Sequence, residues 1–98
     1  MIKRVVKMTF RPDEVAEFLQ DFEKIKNRIR GFEGCHHLEL WRAIDGSNIY
    51  YTYSFWESED ALNAYRHSDL FKTTWTKTKV LFSAPPEAWS TERLHQLK

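Results

Sequence analysis

Polar and apolar residues alternate over the first ten positions. Ile2, Val6, Met8 and Phe10 share one face, with Arg4 the exception, and Lys3, Val5, Lys7 and Thr9 share the other. This is the period of a half-buried strand. Pro12 and Asp13 end it and open a helix that the spacing extends from about Asp13 to Arg30. Val15, Phe18, Leu19, Phe22, Ile25 and Ile29 recur at three- and four-residue intervals and make one apolar stripe. Acidic Asp13, Glu14 and Glu17 stand near its start and basic Lys26, Arg28 and Arg30 near its end, as the helix dipole favours. Gly31 is the expected stop.

Cys35–Arg42 and Ile49–Trp56 read as two further strands. Asp45-Gly46-Ser47-Asn48 supplies turn residues between them, so an antiparallel hairpin is expected. Ser58 caps a short helix from Glu59 to about His67. Ser68-Asp69 opens another, carrying Leu70, Phe71, Trp75, Thr78, Leu81 and Phe82, with Pro85-Pro86 as its stop. Glu87–Leu94 reads as a last strand. The order β-α-β-β-α-β predicts an α+β, ferredoxin-like domain: a four-stranded antiparallel sheet with helices on one face. Residues 1–98 form a single domain, with an ordered core over about 2–94 and a frayed tail.

Strand three does not fit a sheet that is bare on one side. Ile49, Tyr51, Tyr53 and Phe55 lie on one face, and Tyr50 and Trp56 on the other. An uncovered face calls for polar residues. A second subunit is the natural cover, so a homodimer joined through its sheet faces is expected. The Tyr51/Tyr53/Phe55 face is the expected interface, which leaves Thr52, Ser54 and Trp56 for a pocket.

Composition agrees with this and narrows the partners. Seven Phe, four Trp and four Tyr in 98 residues exceed what a minimal core uses. Surplus aromatics line interfaces and apolar pockets. Net charge is +1 with both signs interspersed, so there is no basic stripe of the kind nucleic acid requires. No apolar run approaches the roughly 18 residues of a membrane span. One cysteine, Cys35, excludes an internal disulfide, and no signal segment precedes the first strand. A cytoplasmic location is expected.

Several elements together resemble a known family. They are the strand ending Phe10-Arg11-Pro12, then Phe32-Glu33-Gly34-Cys35, the hairpin, Trp56-Glu57-Ser58-Glu59, and His67-Ser68-Asp69-Leu70-Phe71 leading into Trp75. In this order and spacing they resemble the antibiotic biosynthesis monooxygenase domains of the dimeric α+β-barrel group. The resemblance covers nearly the whole chain. It implies a sheet-to-sheet dimer, a pocket between sheet and helices in each subunit, and oxidation of electron-rich phenols or quinols without metal, flavin or haem. The protein would supply a base, a dry cavity and orientation. Haem-degrading relatives keep an Asn, a Trp and an iron-binding His at positions that fall here on Val6, Trp56 and Trp75. Trp cannot ligate iron, so the resemblance points to the quinol-monooxygenase-like side and to no cofactor.

Candidate chemistry divides accordingly. His36 and His37 are adjacent on a strand and point to opposite faces, so they cannot chelate one ion. His37 and Glu39 share a face but lack a third ligand, and no metal site is expected. His67 and His37 are the candidate general bases, each with a surface or interface role as the alternative. Trp56, Trp75, Tyr65 and Phe71 are candidate walls for a small aromatic ligand, or else ordinary core. Thr52 and Ser54 put small polar groups on the Trp56 face, as a cavity would. Arg4 is expected to pair with a carboxylate such as Glu39, with a clamp on a ligand oxygen as the alternative. Two functions therefore stand: a cofactor-independent monooxygenase acting on a small aromatic or quinol-like compound, and a non-catalytic dimer that binds or senses a small apolar ligand.

Overall fold

The computed structural model describes all of residues 1–98. Strands β1 (Ile2–Thr9), β2 (Cys35–Arg42), β3 (Ile49–Trp56) and β4 (Glu87–Thr91) form one antiparallel sheet in the order β2-β3-β1-β4. Helices α1 (Val15–Arg30), α2 (Glu59–Arg66) and α3 (Asp69–Lys79) cover one face. The fold is α+β and ferredoxin-like, as the pattern predicts.

Local chemistry explains the boundaries. Ser58 Oγ accepts the Ala61 N–H at 3.1 Å and starts α2. Ser68 Oγ accepts the Phe71 N–H at 3.1 Å and donates to the Tyr65 carbonyl at 2.6 Å, so one hydroxyl ties α3 to the end of α2. A 3-10 turn over Pro12–Glu14 precedes α1, which begins at Val15, two residues later than expected. Helix α3 ends at Lys79, short of the prolines and of Phe82. The end of β1 competes for that segment: Phe10 bridges Phe82, the Arg11 N–H reaches the Leu81 carbonyl and the Ser83 N–H reaches Thr9, at 3.0 and 2.9 Å. Strand β4 stops at Thr91 instead of Leu94, and all five of its residues are exposed at the sheet edge.

The β1–β3 register pairs Ile2 with Trp56, Arg4 with Ser54, Val6 with Thr52 and Met8 with Tyr50 on the helix-facing side. The core there has two centres. Met8, Phe10, Phe18, Tyr50 and Leu81 form one, with Phe10 stacked on Phe18 at 4.2 Å. Cys35, Trp56 and Leu62 form the other, against which Tyr65 packs. Burial, and secondarily Cys35, pushes the Tyr65 phenol up to about 12.

Strand β2 contains a bulge that simple alternation misses. Cys35 pairs with Trp56, but His37 pairs with Phe55, so His36 is the extra residue. Cys35 is therefore buried on the helix side, while His37 and Glu39 lie on the open side. Gly34, just before the bulge, has φ 88°. A Cβ there would stand 2.5 Å from the Ala61 Cβ, so this glycine lets the entry to β2 touch α2.

Two outcomes follow from these contacts. Gly34→Ala combines left-handed strain with a steric clash and should lower unfolding free energy by about 2–4 kcal/mol in urea titration. Ala61→Gly in the same chain should recover part of the loss, and a loss below about 0.5 kcal/mol would contradict the close approach. Tyr65 gives a pH signature. The unfolded phenol ionises near the ordinary value of 10 and the folded one only at about 12, so stability falls as pH rises through that window. Tyr65→Phe should fall less steeply across it, and identical slopes would contradict the burial of the phenol.

Candidate functional site

A cavity of about 540 Å³ lies between the helix-facing side of the sheet and the three helices. That volume suits a ligand of a few rings. One wall is a continuous run of aromatics. Tyr65 stacks on Trp56 (4.7 Å, 24°) and meets Phe71 edge-on (5.3 Å, 75°), and Phe71 stacks on Trp75 (5.8 Å, 11°). The run exists because β3 ends at Trp56 and the short helix α2 then presents Tyr65 back toward it, while the Ser68 cap aims α3 along the same edge. Trp56 is only 1% exposed, so it closes the inner end of this wall.

All six residues expected to bind ligand line this cavity: Trp56, Trp75, Tyr65, Phe71, Thr52 and Ser54. Their polar groups differ in availability. The Trp56 indole N–H donates to Ser54 Oγ at 2.9 Å, which satisfies the buried indole and occupies one side of that hydroxyl. The Thr52 hydroxyl and the Tyr65 hydroxyl border the cavity and make no hydrogen bond within the chain. Tyr65 ionises only at about 12, so near neutrality it is a donor and not a base.

Neither candidate base lines the cavity. His37 lies across the sheet, tilted against Phe55 with ring centroids 4.5 Å apart and bonded to Glu39. The pleat of β2 beyond the bulge puts it there. His67 is exposed at the C-terminal cap of α2, between the lining residues Arg66 and Asp69. Its Nδ1–H donates to the Asn63 carbonyl at 2.7 Å, which leaves Nε2 as the accepting nitrogen. Burial pushes the Cys35 thiol up, away from the thiolate a nucleophile needs. No three His, Cys, Asp or Glu side chains stand together in a way that could hold a metal ion.

Arg4 does not pair with Glu39. Strand alternation puts the two on opposite faces, and Glu39 instead accepts from the Trp41 indole at 2.9 Å and contacts His37, which together hold its carboxyl below the usual range. Arg4 lines the cavity and donates to Ser90 Oγ at 2.9 Å. The periodicity reading also passed over a polar lining. Asp21, Lys24 and Arg28 flank the apolar stripe of α1, and Thr73, Thr74, Lys77 and Thr78 follow helical spacing on α3. That second stripe was readable as a polar face turned inward, since three of its members are threonines.

Solved structures share this architecture. A conserved protein from Methanosarcina mazei Go1 superposes with a TM-score of 0.88 at 21% identity, over 94% of this chain and 91% of that one. A protein described as an antibiotic biosynthesis monooxygenase superposes with a TM-score of 0.90 at 12% identity, over 97% of this chain and all of the other. Rv0793 from Mycobacterium tuberculosis gives 0.88 at 16% identity, over 99% and 98%. At these identities the likeness is one of fold. No helix is long and apolar enough to cross a membrane. The family model for antibiotic biosynthesis monooxygenase matches residues 1–77, from β1 through the wall residues Trp56, Tyr65, Phe71 and Trp75. The chain therefore belongs to the antibiotic biosynthesis monooxygenase family.

Proposed function

We propose that this protein is a cofactor-independent monooxygenase that oxidises a small aromatic or quinol-like compound in the cavity beneath β3. The observation that carries the reading is the Trp56–Tyr65–Phe71–Trp75 wall in a chain of this family. A flat ring packs against such a wall, and the free Thr52 and Tyr65 hydroxyls orient its oxygens. The substrate's own anion then donates electrons to dioxygen. One oxygen atom ends as a new carbonyl on the ring, and the other leaves as water with two substrate hydrogens, both from a ring CH2 in an anthrone or one from a ring carbon and one from the hydroxyl in a phenol, so no outside reductant is required.

Removing the substrate proton is the work of His67 in this reading. Its Nδ1–H is held by Asn63, its Nε2 is free, and its chain neighbours border the cavity. An imidazole with a free ring nitrogen can take up that proton. The absence of either histidine from the lining favours the second reading, a dimer that binds or senses a small apolar ligand without turnover.

The subunit arrangement belongs to the same proposal. The open face carries Tyr51, Tyr53 and Phe55 beside His37 and Trp41, with Trp41 over Tyr53 at 4.7 Å and the Lys3 ammonium 3.3 Å from the Phe55 ring centre. Covering each large side chain is worth about 1.5–3 kcal/mol. A second copy supplies that cover by two-fold symmetry, which makes this face the interface and keeps the cavity face free.

Two measurements test the reading. With a panel of dihydroxynaphthalenes and anthrones, oxygen uptake should match substrate loss, and His67→Ala should lower kcat by about 10²-fold or more. Bound ligand with no uptake, or uptake unaffected by His67→Ala, would favour the binding module or a different base. Sedimentation at micromolar concentration should give twice the chain mass of 11.8 kDa, and Tyr53→Arg should shift the protein toward monomer. A wild-type monomer would remove the dimer from the proposal.

A further inference from the structure

We infer that the cavity selects an aromatic acid, with the ligand's carboxylate received by Arg4 and Arg66. The inference rests on the cavity being the ligand site and adds the charge of the ligand. Arg4 occupies the only charged position in the helix-facing row of Ile2, Val6 and Met8. A guanidinium on such a face is costly without an anionic partner. Its one hydrogen bond in the chain goes to the neutral Ser90 hydroxyl, which uses one of five donors.

No carboxylate of the chain neutralises it. Neither Arg4 nor Arg66 takes part in an ion pair. Three acids border the same cavity. Glu87 is already engaged with Lys7 at 3.5 Å, and Asp69 sits in the first turn of α3, where the helix dipole favours it. Asp21 lies on α1 and makes no ion pair. Arg66, exposed in the last turn of α2, borders the same cavity, near enough that its charge, after burial, contributes to lowering the Arg4 pKa. Neither guanidinium has a carboxylate of the chain within ion-pair distance, so both remain available to an anion in the cavity.

The class of anion follows from the donors. Around Arg4 the strand is paired on both sides, with Ser54 on β3 and Ser90 on β4, so its backbone N–H groups lie within a sheet and not in a cradle. Phosphate sites use such cradles or helix N-termini, and the N-terminus of α3 at this cavity is already engaged by the Ser68 cap and carries Asp69 in its first turn. Planar guanidinium forks match a planar carboxylate, and the aromatic wall takes the rest of the molecule.

The test is isothermal titration with 6-hydroxy-2-naphthoate and with its methyl ester, which keeps the rings and removes the charge. Wild type should bind the acid at least about tenfold more tightly than the ester, as charge-assisted hydrogen bonds imply. In Arg4→Gln, checked for folding by circular dichroism, the ratio should fall below about threefold. Arg66→Gln should lower it in part, and it supplies the decisive variant if Arg4→Gln does not fold. Equal affinity for acid and ester in wild type, binding of neither, or a full preference surviving in both variants would overturn the inference. The outcome is separable from that of the oxidation reading. Acid preference without oxygen uptake sustains this inference alone, and oxygen uptake with uncharged naphthols but no acid preference sustains the other alone.

Discussion

Strand β3 carries large side chains on both of its faces, and three helices can cover only one of them. Everything else in the molecule is arranged around that constraint. On the helix side, Tyr50 and Trp56 anchor the two core centres at opposite ends of the strand, and the smaller Thr52 and Ser54 lie between them. Filling the ends and leaving the middle thin is what opens a cavity, because interiors otherwise pack to near crystal density. On the other side, Tyr51, Tyr53 and Phe55 form a row with His37 and Trp41 that no element of the same chain covers.

Much of this was legible in the residues because it depends on local rules. Period-two alternation located β1, a β-prone aromatic run after turn residues located β3, and the three- and four-residue stripe located α1. Ser58 and Ser68 act as the caps their positions suggest, and each makes the expected bond. The six wall and floor residues from Thr52 to Trp75 do come together, since strand parity and helix spacing determine which side chains share a face.

What was not legible depends on contacts distant in sequence. The end of α3 is decided by bonds from Thr9, Phe10 and Arg11, some seventy positions earlier, and the prolines play no part. The expected pairing of Arg4 with Glu39 fails because opposite parity on separate strands keeps them apart, and the contact of Arg4 with Ser90 requires knowing that β4 lies beside β1. The placement of His37 and His67 outside the cavity turns on how α2 and β2 sit against the sheet, which no window of the sequence reports.

The bulge at His36 has a consequence for how this chain can change over generations. Residues before it and after it are on opposite parities, so one surplus residue is what allows a buried Cys35 and an outward His37 on one strand. A length change of one in that short segment would exchange the inner and outer rows of β2 together, whereas a change of two would leave them where they are. A substitution at one position of β2 leaves the rest of the strand on its faces, whereas drift in the strand's length is quantised.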